Sequence, residues 1–224
     1  MKRICLLFIV CCLIISCSSL PKVYQLGRSA TPELYQKCSS PFPNGKWQFL
    51  HSIEATMPGG KKGFIMGLTV ISATDKSVRC VIMSIEGFVL FDAQYDHRLI
   101  IKRRVAPFDS EDFAKGLMKD IRLIFFKPPG PLIESGVLKN GSFICRHQSH
   151  DDRIVDIIVH SDHCWEIRQY THDFRLFRTV KGYVAKNAGP TGQPGIPDRI
   201  DLTSHGSSGY TLVMNLVEAI PLTQ

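Results

Sequence analysis

The stretch SVRCVIMSIEGFVLFDAQYDHRLIIKRR, residues 77–104, decides the fold. Ser77 to Ile85 is β-branched and apolar enough for a strand, and Thr74-Asp75-Lys76 bounds it in front. Glu86-Gly87 makes a tight turn into Phe88 to Tyr95, where Val89, Phe91, Ala93 and Tyr95 share a face. Asp96-His97 then turns the chain into Arg98 to Arg104. Turns of about two residues join only antiparallel neighbours, so this region is a meander.

Upstream, the turn signal Pro58-Gly59-Gly60 precedes Phe64, Met66, Leu68 and Val70, which alternate along one strand face. Downstream the period changes. Phe113, Leu117 and Ile121 are four apart, which predicts a helix. Asp109 or Ser110 can cap it, and Glu111 and Asp112 occupy the first turn, where the helix dipole favours anions. Pro128-Pro129-Gly130-Pro131 stops it, and a second, shorter helix is expected over residues 131–136.

Strands resume at Ser142 to His147, Ile154 to His160, Cys164 to Tyr170 and Phe174 to Val184. Residues 187–198 read as a Gly/Pro-rich surface loop, and a last pair covers Arg199 to Thr203 and Tyr210 to Ala219. The expected architecture is mainly β with an α component (α+β). It is a single curved antiparallel sheet, or half-open β-barrel, of about ten strands with one or two helices on its concave side. Several strands are apolar on both faces, so either protein covers both or one lines an apolar cavity.

The first residues carry a different signal. Lys2 and Arg3 precede an apolar run that ends at Ile14-Ile15-Ser16-Cys17. The run is too short to span a bilayer, which needs about 20 apolar residues, and it has the cation-then-apolar order of an export signal. Its end resembles a bacterial lipobox. That resemblance implies lipidation of Cys17 and cleavage after Ser16, and Ser18-Ser19 in place of Asp implies sorting to the outer membrane, with the protein held at its periplasmic face. The expected organisation is residues 1–16 signal peptide, 17–45 membrane tether with a short helix near Thr31 to Lys37, and 46–224 one β domain.

Removing Lys2 and Arg3 takes the formal charge from +7 to +5. The remaining cations are scattered apart from Lys102-Arg103-Arg104, a pattern too sparse for a nucleic-acid surface. Four cysteines persist beyond Cys17: Cys38, Cys80, Cys145 and Cys164. In an oxidising compartment they permit two disulfides in three connectivities; Cys145 with Cys164, on neighbouring strand candidates, is the leading pair, and buried unpaired thiols in strands are the alternative.

Four features carry a resemblance to a known family: the lipobox at Cys17, the meander around Ser84 to Phe91, the helix followed by Phe125-Phe126-Lys127-Pro128, and the closing Pro197 to Leu202 with its final apolar strand. Together they resemble the LolA/LolB lipoprotein-carrier superfamily, and most closely its LolB-like outer-membrane lipoproteins. The resemblance implies a half-open antiparallel barrel covered by helices, with an apolar cavity for acyl chains. It also implies a projecting loop between central strands, which matches Ile85 to Phe88 around the short Glu86-Gly87 turn. Candidate cavity residues are Phe64, Met66, Val89, Phe91, Phe125 and Phe126, since acyl chains need a concave apolar surface that can repack.

Other chemistries are weaker. His147, His150, His160 and His163, with Asp151, Asp152, Asp162 and Cys164, flank two turns expected at opposite ends of a shared strand, so no metal site is expected. Ser204 to Gly209 lacks the G-x-S-x-G elbow, and no cofactor motif or catalytic residue emerges. The expected function is a non-enzymatic, lipid-anchored carrier of lipid or acylated cargo. The alternative is an envelope scaffold without a ligand.

Overall fold

The computed structural model describes residues 20–25, 32–149, 151–160, 163–184 and 196–223. Cys17 and the signal-like segment lie outside the described residues. The elements are α1 (Pro32–Ser39), β1 (Lys46–Thr56), β2 (Lys62–Ser72), β3 (Ser77–Met83), β4 (Val89–Asp96), β5 (Arg98–Arg104) and α2 (Glu111–Phe125). Then follow β6 (Leu132–Val137), β7 (Phe143–Gln148), β8 (Ile154–Val159), β9 (Cys164–Tyr170), β10 (Leu176–Tyr183), β11 (Arg199–Ser204) and β12 (Tyr210–Leu222).

All the strands form one curved, open, antiparallel sheet in the order β5-β4-β3-β2-β1-β12-β11-β10-β9-β8-β7-β6. Two meanders, β1 to β5 and β6 to β12, join along a central seam where Lys46 pairs with Leu222 and Thr56 with Thr211. β5 and β6 therefore stand at opposite edges, and the chain between them must cross the sheet. α2 makes that crossing on the inner face. Ser110 caps it, its side chain accepting from the Phe113 amide, and Glu111 and Asp112 lie in the first turn.

The buried stripe of α2, namely Ala114, Met118, Ile121, Ile124 and Phe125, packs on alternate residues of the sheet. These include Phe49, Ile71, Cys80, Phe91, Ile167, Val180, Ile200, Leu202 and Met214. One polar contact fixes the helix within this apolar layer. Asp120 lies 2.5 Å from Nε of Arg178 on β10, and Tyr210 at the start of β12 donates its hydroxyl to the same carboxylate.

The segment expected as a second helix, residues 131–136, is instead the edge strand β6. Six residues are too few for a stable helix, whereas pairing with β7 satisfies the backbone at once. Within the segment expected as a tether, residues 20–25 run along the outer edge of β6. Tyr24 exchanges both backbone hydrogen bonds with Val137, at 2.9 Å each. Gly136 permits this approach, because a Cβ there would stand 2.3 Å from the Tyr24 carbonyl oxygen. Pro21 accepts a hydrogen bond from Arg146 at 3.0 Å on the outer face.

That outer face carries an ionic row across β6, β7 and β8. Arg146 donates to both oxygens of Asp156 at 2.7 and 2.9 Å and to Glu134 at 2.6 Å. β8 is thus buried on both sides, with Val155 and Ile157 inside and Ile154, Asp156 and Ile158 outside.

The disulfide expected between Cys145 and Cys164 does not form. Cys145 pairs with Cys38 of α1, whose Cα lies 6.2 Å away. β8 stands between β7 and β9, and two strand spacings of about 4.8 Å exceed the roughly 7 Å over which a disulfide can reach. The register separates them further: Cys145 is opposite Ile157, which is opposite Ile167, three residues beyond Cys164. The bond staples α1 to the inner face.

Candidate functional site

The functional geometry begins with β1. Trp47, Phe49, His51 and Ile53 alternate along its inner face, and Phe49 and His51 are buried. Phe49 stacks between Trp47, at 5.9 Å between ring centroids, and Phe125 at the end of α2, at 4.9 Å. Opposite stands Trp165 of β9. Its indole lies across Gly182 of β10, where a Cβ would come within 2.1 Å of the ring. The segment from Ser39 to Asn44 leaves the stapled helix α1 and closes the remaining side. Trp47 is tied to it by an Nε1–H bond of 2.7 Å to the Asn44 carbonyl.

Between these walls is a cavity of about 450 Å³, lined also by Phe42, Ile124, Ile196, Pro197 and Ile200. Its size falls within the roughly 300–1,000 Å³ of small-molecule sites. No charged side chain lines it among the described residues. Its polar side is Gln36, Ser39, Ser40 and Asn44, which lie along α1 and the segment after it, and His51 stands in the wall across from them. Burial holds the His51 imidazole neutral, its pKa lowered to about 4. The Trp165 Nε1–H is buried without an acceptor among the described residues.

Of the six cavity residues nominated by sequence, Phe125 alone lines this space. Phe91 is buried in the closed core, edge-on to Phe113 at 5.4 Å. Phe126 is buried beside Arg122 and Lys76. Val89 is half-buried at the start of β4. Phe64 and Met66 stand on the outer face, Phe64 63% exposed. The reason is parity. Ile65, Gly67, Thr69 and Ile71 face inward on β2, and a strand apolar on both sides does not reveal which set does so.

The β3–β4 hairpin ends in a compact tip. Ser84 N–H donates to the Phe88 carbonyl at 2.9 Å, Gly87 N–H donates back to the Ser84 carbonyl at 3.0 Å, and Gly87 adopts φ 90°. The turn leaves Ile85 and Phe88 70% and 71% exposed, on the strand next to Phe64. Exposed apolar residues grouped on one projection mark a contact surface more often than scattered ones do.

The histidine group is dispersed. His160 Nδ1 is 2.8 Å from Ser142 Oγ, His147 Nδ1 is 3.4 Å from the Gly130 carbonyl, and His163 is exposed. His150 and Asp162 lie outside the described residues, and among those described no three metal-ligating side chains converge. His205 meets Thr179 at 2.9 Å in the β11–β12 turn.

No protein-family model and no curated protein matches this chain. Among solved structures, the LolA superfamily protein NE2245 from Nitrosomonas europaea is similar, with a TM-score of 0.56 at 11% identity. The alignment covers 86% of this chain and 93% of that one. At this identity the likeness shows the fold alone: mostly β, one curved open antiparallel sheet and two helices.

Proposed function

We propose that this protein is a non-enzymatic, lipid-anchored carrier that holds acyl chains of a lipid or lipoprotein in the cavity between α1, α2 and the inner face of the sheet. One observation carries the reading: a cavity of about 450 Å³ walled by Trp47, Phe49, Phe125 and Trp165 and free of charged side chains among the described residues. Such a space offers an acyl chain desolvation and dispersion contacts without any ion to strip of water. The fold it shares with a LolA superfamily protein supports the same use.

The anchor proposed at Cys17 would hold the protein at the periplasmic face of the outer membrane. The exposed Ile85 and Phe88 would then touch the lipid surface or the cargo as it passes. The test is to express the full chain in a bacterial envelope, extract the purified protein with organic solvent and identify bound lipid by mass spectrometry. Acyl lipid is expected in near-stoichiometric amount, lost when Phe49 and Phe125 are both replaced by Asp. Empty protein that also fails to bind diphenylhexatriene would refute the carrier function. Metabolic labelling with an alkyne fatty acid, against Cys17→Ala, tests the anchor.

A further inference from the structure

We propose that the edge strand β5 is a docking strip for an extended acidic segment of a partner protein, which adds to the sheet as a further strand. The proposal is independent of the cavity and of what the cavity holds.

An open sheet has two ends, and this chain treats them differently. At β6 the chain meets its own edge, where Tyr24 exchanges both backbone hydrogen bonds with Val137. At β5 the main chain of Arg98 to Arg104 bonds to β4 and to nothing else among the described residues. Its outward N–H and C=O groups are a template for another strand.

A groove of about 390 Å³ runs along this edge. Leu99, Ile101, Lys102, Arg103 and Arg104 line it from β5, and Glu111 and Lys115 line it from the start of α2. Leu99 and Ile101 are half-buried against the core and supply its apolar part. Four cations therefore stand against one carboxylate, and Lys115 already engages that carboxylate at 2.7 Å. Lys102, Arg103 and Arg104 are exposed and make no ion pair among the described residues. Lys102 is the extra residue of a bulge in the pairing with β4, and bulges end regular pairing. A partner strand would thus pair along Arg98 to Ile101 and lay its acidic end against Lys102 to Arg104.

Charge selects the occupant. Two copies joined edge to edge would set Arg98 against Arg104 if antiparallel, and every cation against its twin if parallel. Like charges directly opposite are destabilising, so the edge is closed to self-association. A strand bearing Asp or Glu meets the same cations favourably. An anionic lipid surface would use the cations but neither the open backbone nor Leu99 and Ile101. An acidic strand uses all three.

The experiment measures fluorescence anisotropy of a fluorescein-labelled peptide of four Glu-Val repeats titrated with the full chain at low salt. A Lys-Val peptide and a Glu-Val peptide with every amide N-methylated are compared with it. The Glu-Val peptide is expected to bind about tenfold tighter than either, because only it offers both the charge and the strand hydrogen bonds. Lys102→Glu with Arg104→Glu should reverse the preference in favour of the Lys-Val peptide, with an unchanged circular dichroism spectrum because both residues are exposed. Equal binding of the N-methylated peptide marks a contact of charge alone and overturns the proposal without needing the variant. No binding, or no preference for Glu over Lys, overturns it too, as does a preference that survives the charge reversal. Phosphatidylglycerol vesicles that sediment the unaltered protein but not the charge-reversed one, with no peptide bound, would make the strip a lipid contact and refute the strand-docking role.

Discussion

Replacing Cys38 and Cys145 by Ser removes the bond that joins α1 to β7 across 107 residues of sequence. The chain-entropy model gives about 4.7 kcal/mol for a loop of this order, because the cross-link mainly restricts the unfolded state. Against total stabilities of about 5–15 kcal/mol this is a large fraction. The consequence should reach the cavity, since the wall from Ser39 to Asn44 hangs directly from the stapled helix. The assay is urea unfolding followed by far-UV circular dichroism, comparing oxidised protein, reduced protein and the double Ser variant. Reduced protein and variant should agree, each about 3–5 kcal/mol less stable than the oxidised form. Diphenylhexatriene binding should weaken in parallel. A loss under about 1 kcal/mol would refute the reasoning, as would a non-reducing peptide map that links Cys145 to Cys164.

Three further outcomes are expected. Asp120→Asn strips the buried Arg178 of its counter-charge and should cost about 3–5 kcal/mol in urea unfolding, whereas Tyr210→Phe, which deletes one hydrogen bond, should cost about 1 kcal/mol. For His51, the folded value of about 4 lies below the unfolded 6.5, so the unfolded chain binds the extra proton between them. Its stabilising contribution is complete above pH 6.5 and is lost as pH falls towards 4, by about 3 kcal/mol in all; His51→Phe should flatten that part of the stability–pH curve. Replacing Ile85 and Phe88 by Ser should leave stability within about 0.5 kcal/mol, because both are exposed, yet reduce co-sedimentation with phospholipid vesicles.

The meander from Ser77 to Arg104 is legible in sequence because its turns are short and its alternation unbroken, and α2 because Ser110 and the Phe113–Leu117–Ile121 spacing agree. Legibility fails where a one-dimensional pattern is symmetric or where partners are remote. On β2 the sets Phe64/Met66/Leu68 and Ile65/Gly67/Thr69 are both compatible with burial, and register with β1 and β3 alone decides between them. β6 hides behind Pro128 to Pro131, since its strand character comes from β7 rather than from its own residues. The Cys38 pairing depends on where a short helix lands, which no local signal reports. The cavity draws Phe42, Trp47, Phe125, Trp165 and Ile196 from across the chain. Its one visible clue is the alternation of Trp47, Phe49 and His51 at the start of the domain.

The seam between β1 and β12 has a consequence for folding and quality control. Each meander can form from neighbours in sequence, but their union requires Lys46 and Leu222 to meet, the most distant pairing in the sheet. Until β12 docks, β1 and β11 are bare edges, and one sheet with two ends is two ribbons with four. A chain stalled or clipped before Tyr210 would therefore lose more than a strand. It would expose two adhesive borders, which makes the last strand the one whose delay most invites aggregation.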